Sequence, residues 1–353
     1  MDNNREKSKI EKKNNLFYKT IYLNQSSWTY KTVFRQLRLF KVIENKSVYL
    51  IQLKEMKYIR NNNKSEVCFI FQDEGLDLYS LINSSVFDYR EQKNLIKWII
   101  FQILKGLETL HSLNIIHRNI IPQHILISKK GEIKIIGFGK SINDIESKFM
   151  EDKIVGDLNY MAPECLIIQT YNNKIDIFAV GILFLELYYK KVNILNSNKD
   201  NPNDNYSKGL FKQIKYLSEF FKIPFNFNFD DDIKLKEELA VWILDTKFEN
   251  SKFEEILNDI PDIGQSGLEL LKRLLEFNPK KRISAKEALK MEYFSEFQNF
   301  NKDEYIKRDK KKNNNEIISP FLKNFEKEFQ RINKLEYNKK MEIFQKELIK
   351  ITN

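Results

Sequence analysis

Cysteine is scarce in this chain, and so are long apolar runs. The only cysteines are Cys68 and Cys165, and they lack the spacing of metal ligands, so we infer a reducing compartment, cytoplasmic or nuclear. No stretch has the features of a secretion signal. The apolar run from Ile177 to Tyr189 is too short for a membrane span and carries Glu186, which favours a buried helix.

The chain also lacks a one-sided distribution of charge. Its net charge is +10, but basic residues are interleaved with acids, and Asn, Lys and Ile are abundant, as translation of an A+T-rich genome would give. Interleaved charges are typical of a solvated surface. We therefore expect neither a nucleic acid nor a membrane as a partner.

What the chain does have is length and apolar content. It contains 353 residues, of which 42% are hydrophobic, and this suffices for two lobes and a substantial core. From Gln92 to His111 the apolar residues recur at helical spacing, which predicts a long core helix.

One segment has the outline of a catalytic motif without its carboxylates. His117-Arg118-Asn119-Ile120 is followed by His124, and Gly137-Phe138-Gly139 comes shortly afterwards. The two blocks resemble the H-R-D-L-x-x-x-N and D-F-G motifs of protein kinases. Asn119, His124 and Gly137 stand where the resemblance places Asp, Asn and Asp.

Later motifs extend the resemblance along the chain. Met161–Glu164 matches A-P-E, and Asp176–Gly181 resembles the D-x-W-S-x-G start of the central helix, with Phe178 for the Trp. Residues 270–285 look like the last conserved kinase block. The chain thus resembles the cyclin-dependent branch of the Ser/Thr protein kinases.

The resemblance implies an α+β fold with two lobes. It covers residues 16–298, with a shortened, β-rich N-lobe at 16–74 and a helical C-lobe at 75–298. Residues 1–15 are polar, charged and free of glycine, so we expect a disordered arm where a kinase has its glycine-rich loop. A truncated gene model would give the same pattern.

The missing groups are those that carry the chemistry. In kinases the first Asp accepts the substrate proton, and the Asn and the second Asp hold Mg²⁺. Asn119 cannot act as a base, Gly137 has no ligand atom, and His124 is a poor ligand for a cation that prefers oxygen. Ile121 replaces a lysine that approaches the transferred phosphate. We expect no metal and no cofactor.

The groups that organise the fold are retained. By resemblance, Glu164 and Arg282 form a buried ion pair, and Asp176 binds the backbone of the catalytic loop. Losing one partner of such a pair costs about 3–5 kcal/mol. A decayed gene would be expected to lose both kinds of residue. The alternative is that Glu164 and Arg282 are ordinary surface charges.

Nucleotide-binding positions are weakly indicated. The run Leu16–Leu23 resembles the strand that carries the nucleotide-binding lysine, with Lys19 at that position. In the helix that follows, the position of its glutamate partner falls on Arg35, which would repel Lys19. Asp77 stands where a ribose contact is usual. Lys19 and Asp77 are as readily explained as a solvated lysine and a solvated acid.

Two further features suggest regulation and partners. The position of an activating phosphothreonine falls near Asp152, beside Glu151, and Arg118 would receive its charge; we expect such a pair to order the segment by about 0–1 kcal/mol. Residues 299–353 comprise a charged linker and an amphipathic helical pattern. That apolar stripe would dock on the chain itself, bind another protein or form a coiled coil. Its members are Phe321, Phe325, Phe329, Ile332, Leu335, Met341, Phe344 and Leu348.

These observations predict a pseudokinase that works as a scaffold or allosteric binding partner in signalling or cell-cycle regulation. An active kinase or a cyclin-like subunit is the expected kind of partner. The alternative is an atypical Ser/Thr kinase that binds ATP through Lys19 and uses Mg²⁺ with unconventional groups. Glu132, Asp144 and Glu146 could supply a carboxylate, although nothing in their spacing singles them out. Fold resemblance alone does not decide between them.

Overall fold

The computed structural model describes residues 8–23, 27–61, 64–84, 93–128, 131–143, 155–167, 172–195 and 264–297, with single positions between 213 and 263. These residues form two compact units that divide between Glu74 and Gly75. Asp144, Glu146, Glu151, Asp152 and the C-terminal stripe, which carried sequence predictions, lie outside the described residues.

The first unit is a four-stranded antiparallel sheet with one helix. Its elements are β1 (Ser8–Lys13), β2 (Leu16–Leu23), α1 (Ser27–Ile43), β3 (Leu53–Asn61) and β4 (Lys64–Gln72), and the sheet order is β1-β2-β4-β3. Helix α1 buries Val33, Leu37 and Phe40, which recur at helical spacing. The Phe40 ring contacts those of Phe69 and Phe71, at centroid distances of 5.6 and 5.3 Å, so α1 packs on β4.

Strand β1 corrects the prediction of a disordered arm for residues 8–15, whereas residues 1–7 lie outside the described residues. Residues 8–13 pair with β2 through a two-residue turn, Asn14-Asn15, in which both φ angles are positive at 51° and 59°. Asparagine tolerates this left-handed conformation, and hairpins favour it because the turn then matches the strand twist. The side chains of β1 are all exposed and mostly charged, as suits an edge strand, and they resemble a disordered arm in composition.

The second unit is mainly helical. Its principal helices are α3 (Lys93–Ser112), α5 (Lys174–Tyr189) and α6 (Gly264–Leu274), with short helices α2 (Leu78–Ile82), α4 (Pro163–Ile167) and α7 (Ala285–Ala288). Small strands complete the unit: β5 (Leu76–Asp77), β6 (Ile115–Ile116), β7 (Ile125–Ile127), β8 (Ile133–Ile135) and β9 (Ile142–Asn143). They form a β5-β7-β8 sheet and a β6-β9 pair.

Helix α5 is the core of the second unit, because every residue from Ile175 to Tyr188 is buried. A helix that is apolar on all sides needs partners all round, and α3 and α6 pack against it. The buried side chain of Gln102 ties α3 to the β8 region, since its amide donates to Gly131 O at 2.8 Å and accepts from Ile133 N at 3.1 Å. The α+β content and the helical second unit agree with the predicted fold class. None of the described helices is long and apolar enough to cross a membrane.

The β1 hairpin is testable through its turn. Asn15→Val should lower the free energy of unfolding by about 1–3 kcal/mol, because a β-branched residue is strained at positive φ. Asn15→Gly should be neutral or slightly stabilising. Thermal unfolding measures both, with Asn94→Val at an exposed position of α3 as the control. If Asn15→Val behaved like Asn94→Val, residues 8–16 would not form this turn.

Candidate functional site

The site is built on the carboxylate of Asp176, in the first turn of α5. One oxygen accepts from Arg118 N at 2.9 Å, and the other accepts from His117 N at 2.9 Å and lies 3.0 Å from His111 Nε2. Asp176 is only 1% exposed. A buried carboxylate is stable only when donors surround it. These contacts fix the loop from His117 to His124, including Arg118 at a φ of +63°.

His117 connects this loop to the Gly137 segment. Its Nε2 lies 2.8 Å from Ile136 O and its Nδ1 accepts from Asn119 N at 3.3 Å, which assigns the proton to Nε2. Burial lowers the pKa of His117, so the imidazole is neutral at physiological pH. Its ring also packs edge-to-face on Phe138 at 5.0 Å. The neutral ring therefore serves as a structural link between the two motifs.

Asn119 is held by neighbours on both sides of its amide. Its Nδ2 lies 3.0 Å from His124 Nδ1, and its Oδ1 accepts from Lys140 Nζ at 3.5 Å. His124 Nδ1 is also 2.9 Å from Asn119 O, so the ring contacts Asn119 in either tautomer. The predicted position of the catalytic base is thus occupied by an amide in a closed hydrogen-bonded cluster.

His124 and Gly137 fit together. Gly137 has a φ of +84°, and a Cβ atom added there would lie 2.5 Å from His124 Nδ1 and 2.6 Å from its Cδ2, with Cγ equally close. Real Cβ atoms do not approach ring atoms so closely. The imidazole therefore fills the space that a side chain at position 137 would use. Two positions that the sequence marked as metal ligands are replaced by one ring packed against a glycine.

A recess beside Asn119 contains an acid that the sequence analysis did not select. Ile121, Gly156, Asp157 and Tyr160 help to line it. The carboxylate of Asp157 accepts from Asn159 N at 3.0 Å, as an N-cap of the turn Leu158–Tyr160. In the sequence, the only indication of this residue was that an aspartate directly before a turn often serves as its N-cap. Of the earlier candidates, Glu132 lies in the turn that enters β8 and is not part of the recess lining.

The predicted structural pair is in place. Arg282 donates to the two oxygens of Glu164 at 2.6 and 2.9 Å, and these residues are 1% and 2% exposed. Its remaining donors reach the carbonyl groups of Glu276, Phe277 and Lys174, and its guanidinium lies over the Phe178 ring at 5.0 Å. A pair satisfied in this way ties α4 to the segment before α7. Glu164 and Arg282 are therefore not ordinary surface charges.

Glu186 is a second buried acid that the sequence analysis mentioned only as an argument against a membrane span. Its carboxyl group contacts Tyr160 Oη at 2.9 Å and accepts from Asn193 N at 2.5 Å. Burial raises its pKa to about 8, although these hydrogen bonds favour the charged form and offset part of the effect. Glu186 thus connects the recess-lining Tyr160 to the chain that follows α5.

Lys19 and Asp77, the predicted nucleotide-binding residues, each make a hydrogen bond within their own unit. Lys19 Nζ donates to Gln36 Oε1 at 3.1 Å, so the residue of α1 in this contact is the one after Arg35. A difference of one residue is a rotation of about 100° around a helix. Asp77 is the N-cap of α2, and its carboxylate accepts from Ser80 N at 2.8 Å. Arg118 donates through Nε to Lys140 O, while its proposed partner Asp152 lies outside the described residues.

No group of three or more His, Cys, Asp or Glu side chains within the described part of the chain could hold a metal ion. For Mg²⁺ in particular, an imidazole at position 124 and a glycine at position 137 do not supply the oxygen ligands that this ion prefers. The residues present do not fit the metal of a kinase.

Comparisons with known proteins agree with the motifs. A family model described as "Protein kinase domain" matches residues 6–294, which includes β1. The mitogen-activated protein kinase HOG1 of Gibberella zeae is 27% identical over 273 residues, covering 76% of this chain and 68% of that protein. Similar matches are hog-1 of Neurospora crassa (27%, 76% and 67%) and sakA of Aspergillus fumigatus (27%, 76% and 66%). These relatives are mitogen-activated protein kinases, so the cyclin-dependent resemblance stays a prediction.

The Lys19–Gln36 contact can be measured with a double-mutant cycle. Lys19→Met should cost about 1–3 kcal/mol, because the buried Gln36 amide loses its charged donor. Combining it with Gln36→Leu should cost less than the sum of the single changes. Denaturant unfolding gives the coupling energy, and Lys57→Met in an exposed ion pair is the control. Additive effects would show that these two side chains do not interact.

The raised pKa of Glu186 predicts a pH dependence of stability. The folded state keeps a proton that the unfolded chain releases near pH 4.5, so this group should stabilise the fold fully below that pH and lose its contribution as pH rises toward 8. The slope should approach about 1.4 kcal/mol per pH unit. Denaturant unfolding of wild type and Glu186→Gln from pH 5 to 8.5 isolates the effect, since the glutamine cannot ionise. The exposed Glu292→Gln change should leave the wild-type slope unaltered; a Glu186→Gln curve parallel to wild type would contradict the assignment.

Proposed function

The chain belongs to the protein kinase family, and we propose that within this family it is a pseudokinase, which binds a protein partner and does not transfer phosphate. The observation that carries the proposal is the packing of His124 against Gly137. A single lost carboxylate leaves space that another group can enter. Here the space itself is filled, and the filling residue stands at another of the lost positions.

The chemistry points the same way. Phosphotransfer in kinases depends on positioning and on electrostatic stabilisation around Mg²⁺. Asn119 cannot take a proton from a substrate hydroxyl, and general-base catalysis is worth roughly 10²–10⁴-fold. Ile121 brings no charge to a transferred phosphate. We therefore derive no metal-dependent step for this chain.

The retained polar contacts support a role in binding. The Glu164–Arg282 pair and the Asp176 anchor preserve the surface on which kinases arrange a peptide, although the reacting groups are gone. Such contacts are expensive to bury and are stable only when complete. A chain that acts as a scaffold or allosteric partner needs this surface in a defined shape.

The proposal also concerns the branch of the kinase family to which the chain belongs and the kind of protein that it binds. The motif order suggests the cyclin-dependent branch, whereas the relatives reported above are mitogen-activated protein kinases. Either branch is consistent with a role in signalling or cell-cycle regulation, and we propose an active kinase or a cyclin-like subunit as the partner. We propose a cytoplasmic or nuclear location and no role for nucleic acid or membrane.

A second candidate function is an atypical ATP-dependent Ser/Thr kinase. Two observations favour it: Lys19 is held by Gln36, and Asp157 brings a carboxylate to the recess that Asn119 lines. Asp157 would then act as the base in place of Asn119. The lack of fitting metal ligands among the described residues makes this the weaker candidate.

The two candidates differ in a phosphotransfer assay. Purified protein with labelled ATP and Mg²⁺ or Mn²⁺ should transfer no phosphate to itself or to a general protein substrate above the level of the Lys19→Met variant. Signal that is equal in both samples identifies a contaminating kinase. Transfer that disappears in Lys19→Met and Asp157→Asn would overturn the pseudokinase proposal.

The packing argument has its own test, which does not depend on activity. Gly137→Asp should destabilise the protein by about 1–3 kcal/mol, because the new side chain overlaps the His124 ring. Adding His124→Asn should recover most of this loss, giving a favourable coupling energy of about 0.5–3 kcal/mol in denaturant unfolding. The Asn119→Asp, Gly137→Asp double variant should not gain kinase activity. An unaffected Gly137→Asp single variant would show that position 137 is open.

A further inference from the structure

Strand β1 forms an outer edge of the sheet in the first unit. The sheet order is β1-β2-β4-β3, so among the described strands only β2 pairs with β1. All six residues of this strand, Ser8–Lys13, are exposed. The edge of such a strand presents backbone N–H and C=O groups to which a further strand can be added.

The turn after β1 determines which of its backbone groups face outward. Asp73 N, directly after β4, donates to Asn15 O at 2.9 Å, so the backbone of Asn15 points toward β4. The backbone of the next residue, Leu16, therefore points toward its β1 partner, Lys13. Bonded positions alternate along an antiparallel pair. Lys13 and every second residue before it thus bond to β2, whereas the backbone groups of Ile10 point to the outer edge.

The side chains of β1 carry opposite charges on one face and an apolar group on the other. Lys9 and Glu11 share a face, form an ion pair at 2.7 Å and have side chains that are each 56% exposed. Ile10 lies between them on the opposite face and is 59% exposed. A cation, an apolar side chain and an anion thus follow one another around the outward-facing backbone of Ile10.

We propose that β1 is a dimerisation edge, to which β1 of a second copy of this chain adds in antiparallel orientation, with the two Ile10 residues opposite each other. Contacts between identical chains are usually symmetric about a twofold axis, as this pairing is. The backbone groups of the two Ile10 residues bond to each other. Lys9 of each copy is then opposite Glu11 of the other, at a non-bonded position where facing side chains are closest.

Charge favours this register over its neighbours. Because the outward backbone groups recur at every second residue, only shifts of two residues preserve the hydrogen bonding. One such shift places Glu11 opposite Glu11 and Lys9 opposite Lys13, and the other places Lys9 opposite Lys9. Like charges that are directly opposite destabilise a strand pair, and opposite charges stabilise it. Charged side chains commonly protect an edge strand from pairing, but here their alternation leaves one arrangement favourable.

The contact is small, because each copy contributes one strand of six residues. An interface of this size is typical of transient association, so we expect a reversible dimer with a dissociation constant in the micromolar range. Sedimentation velocity of the full chain, over a concentration series that spans this range, measures the dissociation constant.

Charge reversals test the register. Glu11→Lys should weaken self-association about tenfold or more, because a lysine then lies opposite Lys9 on both sides of the axis. Lys9→Glu should have the same effect. An equimolar mixture of the two variants should associate like wild type, since each supplies the charge that the other lacks. The control is Glu55→Lys, which changes the net charge equally in the exposed Glu55–Lys57 pair of β3, at the other edge of the sheet. It should leave the dissociation constant unchanged.

Cysteine cross-linking locates the contact independently of charge. Under mild oxidation, Ile10→Cys should form a disulfide between copies, because opposite residues of an antiparallel pair are close enough for one. Lys9→Cys and Glu11→Cys should cross-link to each other in a mixture, and each alone should not. Wild type under the same oxidation is the control, since its two cysteines are buried.

Thermal unfolding confirms that each variant is folded. The proposal is refuted if wild type stays monomeric, if Glu11→Lys associates like wild type, or if mixing the charge variants does not restore association. A monomeric wild type would mean that another segment of this chain or a different protein pairs with β1. Association that Glu55→Lys weakens as much as Glu11→Lys would place the interface elsewhere and would also refute it. Each of these results leaves the pseudokinase proposal unaffected, because that proposal is decided by measured phosphotransfer.

Discussion

The structure of the second unit depends on the contact between Asp176 and the backbone of His117 and Arg118. A carboxylate that is almost completely buried would be strongly destabilising without donors, and a loop residue at a φ of +63° is strained without support. The carboxylate and the strained residue stabilise each other. The left-handed Arg118 directs its N–H and that of His117 toward Asp176, and the carboxylate holds the loop in this conformation. The loop positions that carried catalytic predictions, Asn119, Ile121 and His124, follow this contact directly along the chain.

The residues that replace the expected catalytic groups contact one another. His124 approaches Asn119 on one side and occupies the space above Gly137 on the other, while Lys140 approaches the opposite end of the Asn119 amide. Independent losses would leave cavities or polar groups without partners, each of which costs stability. A set of substitutions that fill one another's space is what selection for a stable, non-catalytic fold would leave.

Sequence reasoning located the motifs well, because their order and spacing are retained even where the residue types differ. Glu164, Asp176 and Arg282 could be named from that spacing, and the structure gives each of them the partners described above. The Gln36 contact was missed by one residue, because counting along a chain does not fix the rotation of a helix whose start is uncertain. Strand β1 was missed because its charged, exposed residues have the composition of a disordered arm, and only Asn14-Asn15 indicated a turn.

The packing of His124 on Gly137 and the position of Lys140 could not be predicted in that way, since they depend on how two loops approach each other in space. Their physical meaning follows from the energetics of active sites. Carboxylates held close together repel one another and raise each other's pKa unless a cation lies between them. A site that keeps both acids but never binds Mg²⁺ would therefore be less stable than one that discards them, in line with the general conflict between stability and activity. On the pseudokinase proposal, Asn119 and Gly137 remove this repulsion, His124 packs against Gly137, and Lys140 brings a positive charge beside Asn119. The charge and the packing of this site are thus linked, because both follow from the absence of the two carboxylates.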